Sequence, residues 1–211
     1  MAVVKADAYG HKLDGISSSI GALVDGFAVA TVSEGIQCRG VQDHKPVVVL
    51  SELWRQDQLV EFERHSLDAV IHSESHVQWL EEYNGRTLNI WIKFDTGMNR
   101  LGIRTDQVEE VYDALSGNSC LGKIRLMSHL ASADQCDDPF TRQQQMVFDS
   151  CVQRFECEAS LANSAGIMKW PASHYDWVRP GIMLYGVSPL DHPLDDPVLR
   201  PVMELQARLI A

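Results

Sequence analysis

The feature that most constrains the fold of this chain is a regular alternation of short β-branched apolar runs with longer segments that have amphipathic helical spacing. Eight runs are candidate strands, at residues 2–5, 27–30, 47–50, 69–72, 89–95, 124–129, 158–162 and 181–185. Strands joined by helical crossovers pair in parallel, because each crossover returns the chain to the same end of the sheet. The alternation therefore predicts an α/β fold, and eight such units predict a TIM-like (β/α)8 barrel.

Helical spacing marks several of the intervening segments. Apolar residues recur three or four positions apart in three groups: Leu13, Ile16, Ile20 and Leu23; Val108, Tyr112 and Leu115; Met146, Phe148 and Val152. With 211 residues, of which 45% are hydrophobic, the chain is long enough for one large domain with a real core. A barrel of this type has about 250 residues, so this one is predicted to be compact.

Charge and cysteine usage narrow the classes of partner. The formal net charge of −11 argues against a nucleic-acid or membrane surface and favours a small molecule as partner. The five cysteines are scattered and form no C-x-x-C pair or zinc-like cluster, so we predict reduced thiols, a cytoplasmic protein and no metal site. No apolar run approaches the roughly 18 residues that cross a bilayer, and the first residues lack the charged-then-apolar order of a signal peptide, so we expect a protein that is not exported by that route.

Polar residues follow several of the predicted strands, at the end of a barrel where active sites form. Lys5 ends the first strand, and apolar surroundings favour the neutral amine that forms a Schiff base with an aldehyde. The other members of the set are Arg100, His129, Asn163, Ser164, Arg179, Gly181 and Ile182. Each alone has a plain explanation, such as a core histidine, a surface arginine, a helix cap or a turn glycine. Together they predict a site for a phosphate, a pyridine ring and a carboxylate.

Five segments carry a resemblance to a known family. They are AVVKADAYGH at 2–11, KFDTGMNRLG at 93–102, MSHLASAD at 127–134, LANSA at 161–165 and VRPGIMLYG at 178–186. In this order and spacing they closely resemble alanine racemase, an enzyme of fold type III that depends on pyridoxal 5'-phosphate. The resemblance implies interconversion of L-alanine and D-alanine, which supplies D-alanine for peptidoglycan, by an isomerase that is a homodimer.

The resemblance also implies roles for the cofactor-binding residues. Lys5 is similar to the lysine that holds pyridoxal phosphate and serves as the acid or base on one face of the substrate α-carbon. The resemblance also implies five further cofactor ligands, most of which would contact the phosphate: Tyr9, Asn163, Ser164, Gly181 and Ile182. Hydroxyls and backbone N–H groups at a turn suit a phosphate.

Four further residues match charged or ring-contacting positions of the family. Arg179 resembles the arginine that faces the pyridine nitrogen, and His129 the histidine beside the pyridine ring. Arg100 resembles the arginine that binds the substrate carboxylate. Lys93 matches a lysine that is carbamylated in some members and then orients Arg100, and the sequence leaves its state open.

Racemisation needs a second acid or base on the opposite face of the α-carbon. In the family this is a tyrosine of a C-terminal β domain contributed by the partner subunit, and none of the tyrosines of this chain lies in a matching motif. We therefore expect residues 1–200 to be the pyridoxal-phosphate-binding barrel, residues 201–211 to begin a truncated β domain, and the chain to be short at both ends. Two alternatives stay open: a non-catalytic barrel that binds pyridoxal phosphate, and a racemase of another amino acid such as serine.

Overall fold

Seven parallel strands form one curled sheet in which each strand lies beside the next one in the sequence. The structure is a computed structural model that describes residues 1–135, 137–190, 199–204 and 206–207. The strands are β1 (Ala2–Val3), β2 (Phe27–Val29), β3 (Val47–Val49), β4 (Asp68–Ile71), β5 (Leu88–Lys93), β6 (Leu121–Met127) and β7 (Ala159–Ser160). The first seven predicted strands are confirmed, and each observed strand overlaps its predicted range.

Helices connect the strands on the outside of the sheet. They are α2 (Leu13–Ile20), α3 (Val32–Val41), α4 (Leu59–Arg64), α5 (Glu74–Glu81), α6 (Val108–Ser116), α7 (Phe140–Val152) and α8 (Ser164–Lys169). The preceding element, α1 (Lys5–Tyr9), is a short left-handed turn at the end of β1. The three predicted helical patterns coincide with α2, α6 and α7. Leu23 and Met146 are exceptions within those patterns, because both side chains are exposed. No helix of the described residues is long and apolar enough to cross a membrane.

The eighth predicted strand is wrong in position. Residues 181–185 do not form a strand, because Ile182–Tyr185 is a 3₁₀ helix. The sheet is closed instead by the preceding residues, 177–180, through backbone hydrogen bonds on both sides. On one side the backbone N–H groups of Trp177 and Arg179 donate to the carbonyls of Ala159 and Ala162, at 3.1 and 3.0 Å. On the other side the Val3 N–H donates to the Pro180 carbonyl at 2.9 Å, so the curled sheet becomes a barrel.

The core has two layers because side chains alternate between the faces of a strand. One face of each strand packs against the helices in a large apolar layer that includes Phe27, Ile90 and Leu126. The opposite face fills the inside of the barrel with a smaller cluster: Met1, Val3, Ala28, Val48, Val70, Trp91 and Met127. The inside of the barrel is therefore filled by side chains.

The described part of the C-terminal stretch, residues 201–204 and 206–207, forms no strand. Val202 and Met203 are exposed, at 57% and 56%. The neighbouring apolar residues Leu205, Leu209 and Ile210 lie outside the described residues. The four described cysteines carry free thiols, and the fifth, Cys136, also lies outside them.

Candidate active site

A cavity of about 510 Å³ opens where the parallel strands end. All ten residues singled out in the sequence line it: Lys5, Tyr9, Lys93, Arg100, His129, Asn163, Ser164, Arg179, Gly181 and Ile182. Nearly all of them follow the C-terminal ends of the strands, and Arg179 lies in the segment that closes the barrel. The chain thus brings together side chains that are far apart in sequence because parallel strands place their carboxyl ends at one edge.

Lys5 begins a left-handed turn immediately after β1. Residues 6–9 have φ values between 52° and 54°, and Gly10 follows at 84°. This conformation costs roughly 1–2 kcal/mol for each residue other than glycine, so other contacts have to hold it. The Leu13 N–H donates to the Asp7 carboxylate at 2.9 Å, and the Asp7 N–H donates to the Glu34 carboxylate at 3.2 Å. The turn fixes where Lys5 and Tyr9 enter the cavity.

Hydroxyl groups and backbone N–H groups meet at one corner of the cavity. The Ser164 hydroxyl, at the start of α8, accepts hydrogen bonds from the Gly181 and Met183 N–H groups at 2.9 and 3.4 Å. A Cβ atom on Gly181 would lie 2.7 Å from the Tyr9 hydroxyl oxygen, so only glycine leaves that hydroxyl its place. The Ser164 and Tyr9 hydroxyls at this corner can donate hydrogen bonds to an anionic group such as a phosphate.

Arg179 is held inside the barrel by neutral groups. Its side chain, only 5% exposed, donates to the Ser160 hydroxyl and to the Ser128 and Leu161 carbonyls. Burial lowers the pKa of Arg179 to about 10, so the guanidinium still carries its proton at neutral pH. The result is a fixed, buried positive charge on the cavity wall.

Burial and the nearby cations lower the pKa values of both Lys93 and His129. Burial, and then Arg100 and Arg179, lower the pKa of Lys93 to about 8. Burial, followed by Arg179, Lys93, Arg100 and Lys5, lowers the pKa of His129 to about 3. At neutral pH the imidazole is therefore uncharged, and a measurable share of the Lys93 amine is neutral.

Arg100 lies at the rim of the cavity, and Asn163 also makes hydrogen bonds to the backbone. Arg100 is exposed at the end of the loop that follows β5. Asn163 caps α8, because its side-chain oxygen accepts from the Gly166 N–H at 2.9 Å and its amide donates to the Leu130 carbonyl at 3.4 Å. The cap gives Asn163 a structural role in addition to its place in the lining.

Some residues of the site were not found from the sequence. Ser128 and Ser160 hold Arg179, and polar residues inside apolar strand runs were the only signal for them. His72 follows β4 directly and continues the register that pairs Ile71 with Ile92, so it lies beside Lys93. Its buried Nε2 atom makes no hydrogen bond to the described residues.

The site is dominated by positive charge. Lys5, Lys93, Arg100 and Arg179 line one cavity, and none makes an ion pair with a carboxylate among the residues that the structure describes. The fold and the site together define a parallel β/α barrel with a lysine amine and three further cationic side chains at its mouth, an arrangement that suits an anionic ligand.

Comparisons with known proteins identify the family. The family model "Alanine racemase, N-terminal domain" matches residues 1–189, and the chain belongs to this family. The alanine racemase of Pseudomonas entomophila is 39% identical over 213 residues, which are 100% of this chain and 60% of that protein. A protein of Pseudomonas aeruginosa named "Alanine racemase, catabolic" is 37% identical over 214 residues, with the same coverage. The chain spans 60% of the length of these relatives.

Solved structures show the same fold. The biosynthetic alanine racemase of Pseudomonas aeruginosa superimposes with a TM-score of 0.87 and 34% identity, over 90% of this chain and 54% of that chain. An alanine racemase of Bartonella henselae, described as having covalently bound pyridoxal phosphate, gives a TM-score of 0.80 and 26% identity, over 92% of this chain and 58% of that chain. The predicted α/β barrel and the predicted family are confirmed.

Proposed function

We propose that the chain is the cofactor-binding domain of a pyridoxal-phosphate-dependent alanine racemase, an isomerase that interconverts L-alanine and D-alanine. One observation carries the proposal: Lys5, the three further cations of the site and the group Tyr9, Ser164, Gly181 and Ile182 line a single cavity. The Lys5 amine makes no hydrogen bond or ion pair with the described residues, so it is available to react with an aldehyde. Pyridoxal phosphate, when bound, supplies the aldehyde and an electron-withdrawing ring that acidifies the substrate α-carbon.

The residues present fit this cofactor. The phosphate would lie at the corner formed by Tyr9, Ser164, Gly181 and Ile182, where hydroxyls and backbone N–H groups converge, with Asn163 beside it. The missing side chain of Gly181 leaves room next to the Tyr9 hydroxyl.

Two residues would contact the pyridine ring. Arg179 would face the ring nitrogen, and its guanidinium, protonated at neutral pH, would keep that nitrogen from taking up a proton. His129 would lie beside the ring as a neutral imidazole. Because the imidazole is neutral, His129 would not add a second positive charge beside the ring.

Arg100 would bind the substrate carboxylate at the rim, and its exposed position allows a substrate to reach it.

We further propose that Lys93 is carbamylated. A neutral amine adds to carbon dioxide, forming an N–C bond and releasing a proton, and the lowered pKa of Lys93 makes that form accessible. The product carries a negative charge, which would orient Arg100.

Proton transfer divides between two faces of the α-carbon. Lys5 Nζ would take or return the proton on the face that the barrel covers. We propose that a tyrosine of a C-terminal β domain, contributed by the partner subunit of a homodimer, acts on the other face. Residues 1–200 would form the barrel domain and residues 201–211 would lead into the β domain. The enzyme would act in the cytoplasm and supply D-alanine for peptidoglycan.

The first test is the attachment of the cofactor to Lys5. Pyridoxal phosphate is added to the chain, the adduct is reduced with borohydride, and the labelled peptide is identified by mass spectrometry. We expect the label on Lys5 and its loss in Lys5→Ala. Lys123→Ala, at an exposed lysine on β6, is the matched control and should label like the wild type. Labelling that is unchanged by Lys5→Ala would contradict the proposal.

Exchange of the substrate α-proton separates this function from the two alternatives. With pyridoxal phosphate and alanine in D₂O, NMR should show loss of the α-proton signal at a rate that depends on Lys5. Equal exchange with serine would indicate a racemase of broader or different specificity. Cofactor binding without any exchange would favour a non-catalytic pyridoxal-phosphate-binding barrel.

A further inference from the structure

One fully buried amide outside the cavity connects several of the loops that carry the site. Gln144 lies on α7, and its side chain is 0% exposed. Its Nε2 atom donates to the Thr96 hydroxyl and to the His129 carbonyl, both at 3.1 Å. Its Oε1 atom accepts from the Ala131 N–H at 2.8 Å. Both N–H donors and the carbonyl oxygen of the Gln144 amide are thus hydrogen-bonded. These partners fix the orientation of the amide group.

The backbone that Gln144 holds is the segment bearing His129. Strand β6 ends at Met127, and beyond it the His129 carbonyl and the Ala131 N–H make no backbone hydrogen bond to the described residues. Gln144 supplies both missing partners. Leu130, between them, is buried at the side chain and has its carbonyl bound by Asn163.

The same amide is linked to Arg179 through the hydroxyls of Thr96 and Ser128 and then the Ser128 backbone carbonyl. Thr96 accepts from Gln144, so its own proton is free to go to the Ser128 hydroxyl 3.0 Å away. The Ser128 carbonyl in turn accepts from the Arg179 guanidinium. Thr96 and Ser128 are also buried, so water does not compete for these hydrogen bonds.

Helix α7 also packs directly on the loop that leads from Lys93 to Arg100. A Cβ atom on Gly97 would lie 2.8 Å from the Phe140 ring, so the first turn of α7 touches the loop backbone. Gln144, one turn further along the same face of the helix, holds Thr96 in that loop. Helix α7 therefore holds the β5 loop and the β6 loop against each other.

We propose that Gln144 is a positioning residue for the proposed cofactor site, fixing His129 and, through Thr96 and Ser128, Arg179 on the wall that would face the pyridine ring. The inference rests on the proposed function. Gln144 lines no part of the cavity and would not touch the cofactor. Its effect would pass entirely through the backbone of residues 129–131 and the hydroxyl chain.

Gln144→Glu tests the proposal with little change in shape. The substitution keeps the acceptor for the Ala131 N–H but replaces the donor to His129 and Thr96 by an oxygen. Gln144→Met keeps the length and removes all three hydrogen bonds. Gln143→Glu, at the exposed neighbour on the same helix, is the matched control for added charge.

Two readouts are measured on the folded chain. The first is the dissociation constant for pyridoxal phosphate from an absorbance titration, which we expect to rise about tenfold in both Gln144 variants because a buried donor or acceptor loses its partner. The second is the NMR signal of the His129 ring without cofactor, assigned with His129→Gln, which we expect to shift in both variants. Gln143→Glu should change neither.

A purely structural role for Gln144 would lower the unfolding midpoint and leave both readouts unchanged, and that result would overturn the proposal. Should the Gln144 variants fail to fold, Thr96→Val, which breaks only the hydroxyl chain, takes their place. Because Gln144 still binds the His129 carbonyl and the Ala131 N–H in that variant, its His129 signal should not change. An unchanged affinity for pyridoxal phosphate would overturn the proposal as well. Failure of the wild type to bind pyridoxal phosphate would refute the proposed function, and the His129 signal alone would then decide the role of Gln144.

Discussion

His129→Gln should reduce the sensitivity of the cofactor-free chain to acid. The pKa of His129 is about 3 in the folded state, against about 6.5 for an unperturbed histidine. Between these two values the unfolded chain binds a proton that the folded chain does not. The free energy of unfolding therefore falls as the pH drops below about 6.5, and this loss continues until the pH reaches the folded value.

The size of the effect follows from the two pKa values. At pH 5.0 the loss attributable to His129 is about 2 kcal/mol, and at pH 7.5 it is close to zero. Glutamine is of similar size, can donate and accept hydrogen bonds, and does not titrate. We therefore expect the wild type to lose about 2 kcal/mol more than His129→Gln between pH 7.5 and pH 5.0.

Urea unfolding at the two pH values measures this difference. Burial and the neighbouring His72 lower the pKa of His76 to about 4. His76 therefore contributes equally to the acid sensitivity of both proteins, and its contribution cancels in the comparison. His44→Gln, at an exposed loop position, controls for the substitution itself and should behave like the wild type. Equal losses in the wild type and in His129→Gln would refute the burial and cation crowding deduced for this residue.

Two further predictions concern a close contact in the cavity and a buried ion pair. Gly181→Ala should raise the dissociation constant for pyridoxal phosphate about tenfold in an absorbance titration, because its Cβ atom would displace the Tyr9 hydroxyl, whereas Gly15→Ala, with open space around it, should not. Arg125→Met should lower the free energy of unfolding in urea by about 3–5 kcal/mol, because it leaves the buried Asp68 carboxylate without the guanidinium 3.2 Å away. Adding Asp68→Asn should recover part of this loss, and no recovery would mean that packing, not charge, causes it.

The alternation of strands and helices could be predicted because it depends on local periodicity. A strand buried on both faces needs a continuous apolar run, and a helix against it needs an apolar stripe. The placement of the polar residues followed from one rule of parallel sheets, that all carboxyl ends share an edge. For this reason residues as distant as Lys5 and Arg179 were expected at one mouth before any contact was known.

The closing element of the barrel could not be predicted in this way. The apolar residues 182–185 have the composition of a strand but form a 3₁₀ helix, while residues 177–180, which include a buried arginine, join β7 to β1. The bonds that decide this link residues such as Val3 and Pro180, at opposite ends of the barrel sequence. Local composition carries no information about such pairings.

The sequence by itself determined the fold class, the family resemblance and ten of the residues that line the cavity, because each depends on residue type and order. Only the tertiary structure decided the left-handed turn after Lys5, the neutral state of His129 and the link from Gln144 to the site. Charge states and buried hydrogen bonds depend on which groups meet and on how completely water is excluded. Both are properties of the packed chain, since they arise from contacts between segments that are far apart in sequence.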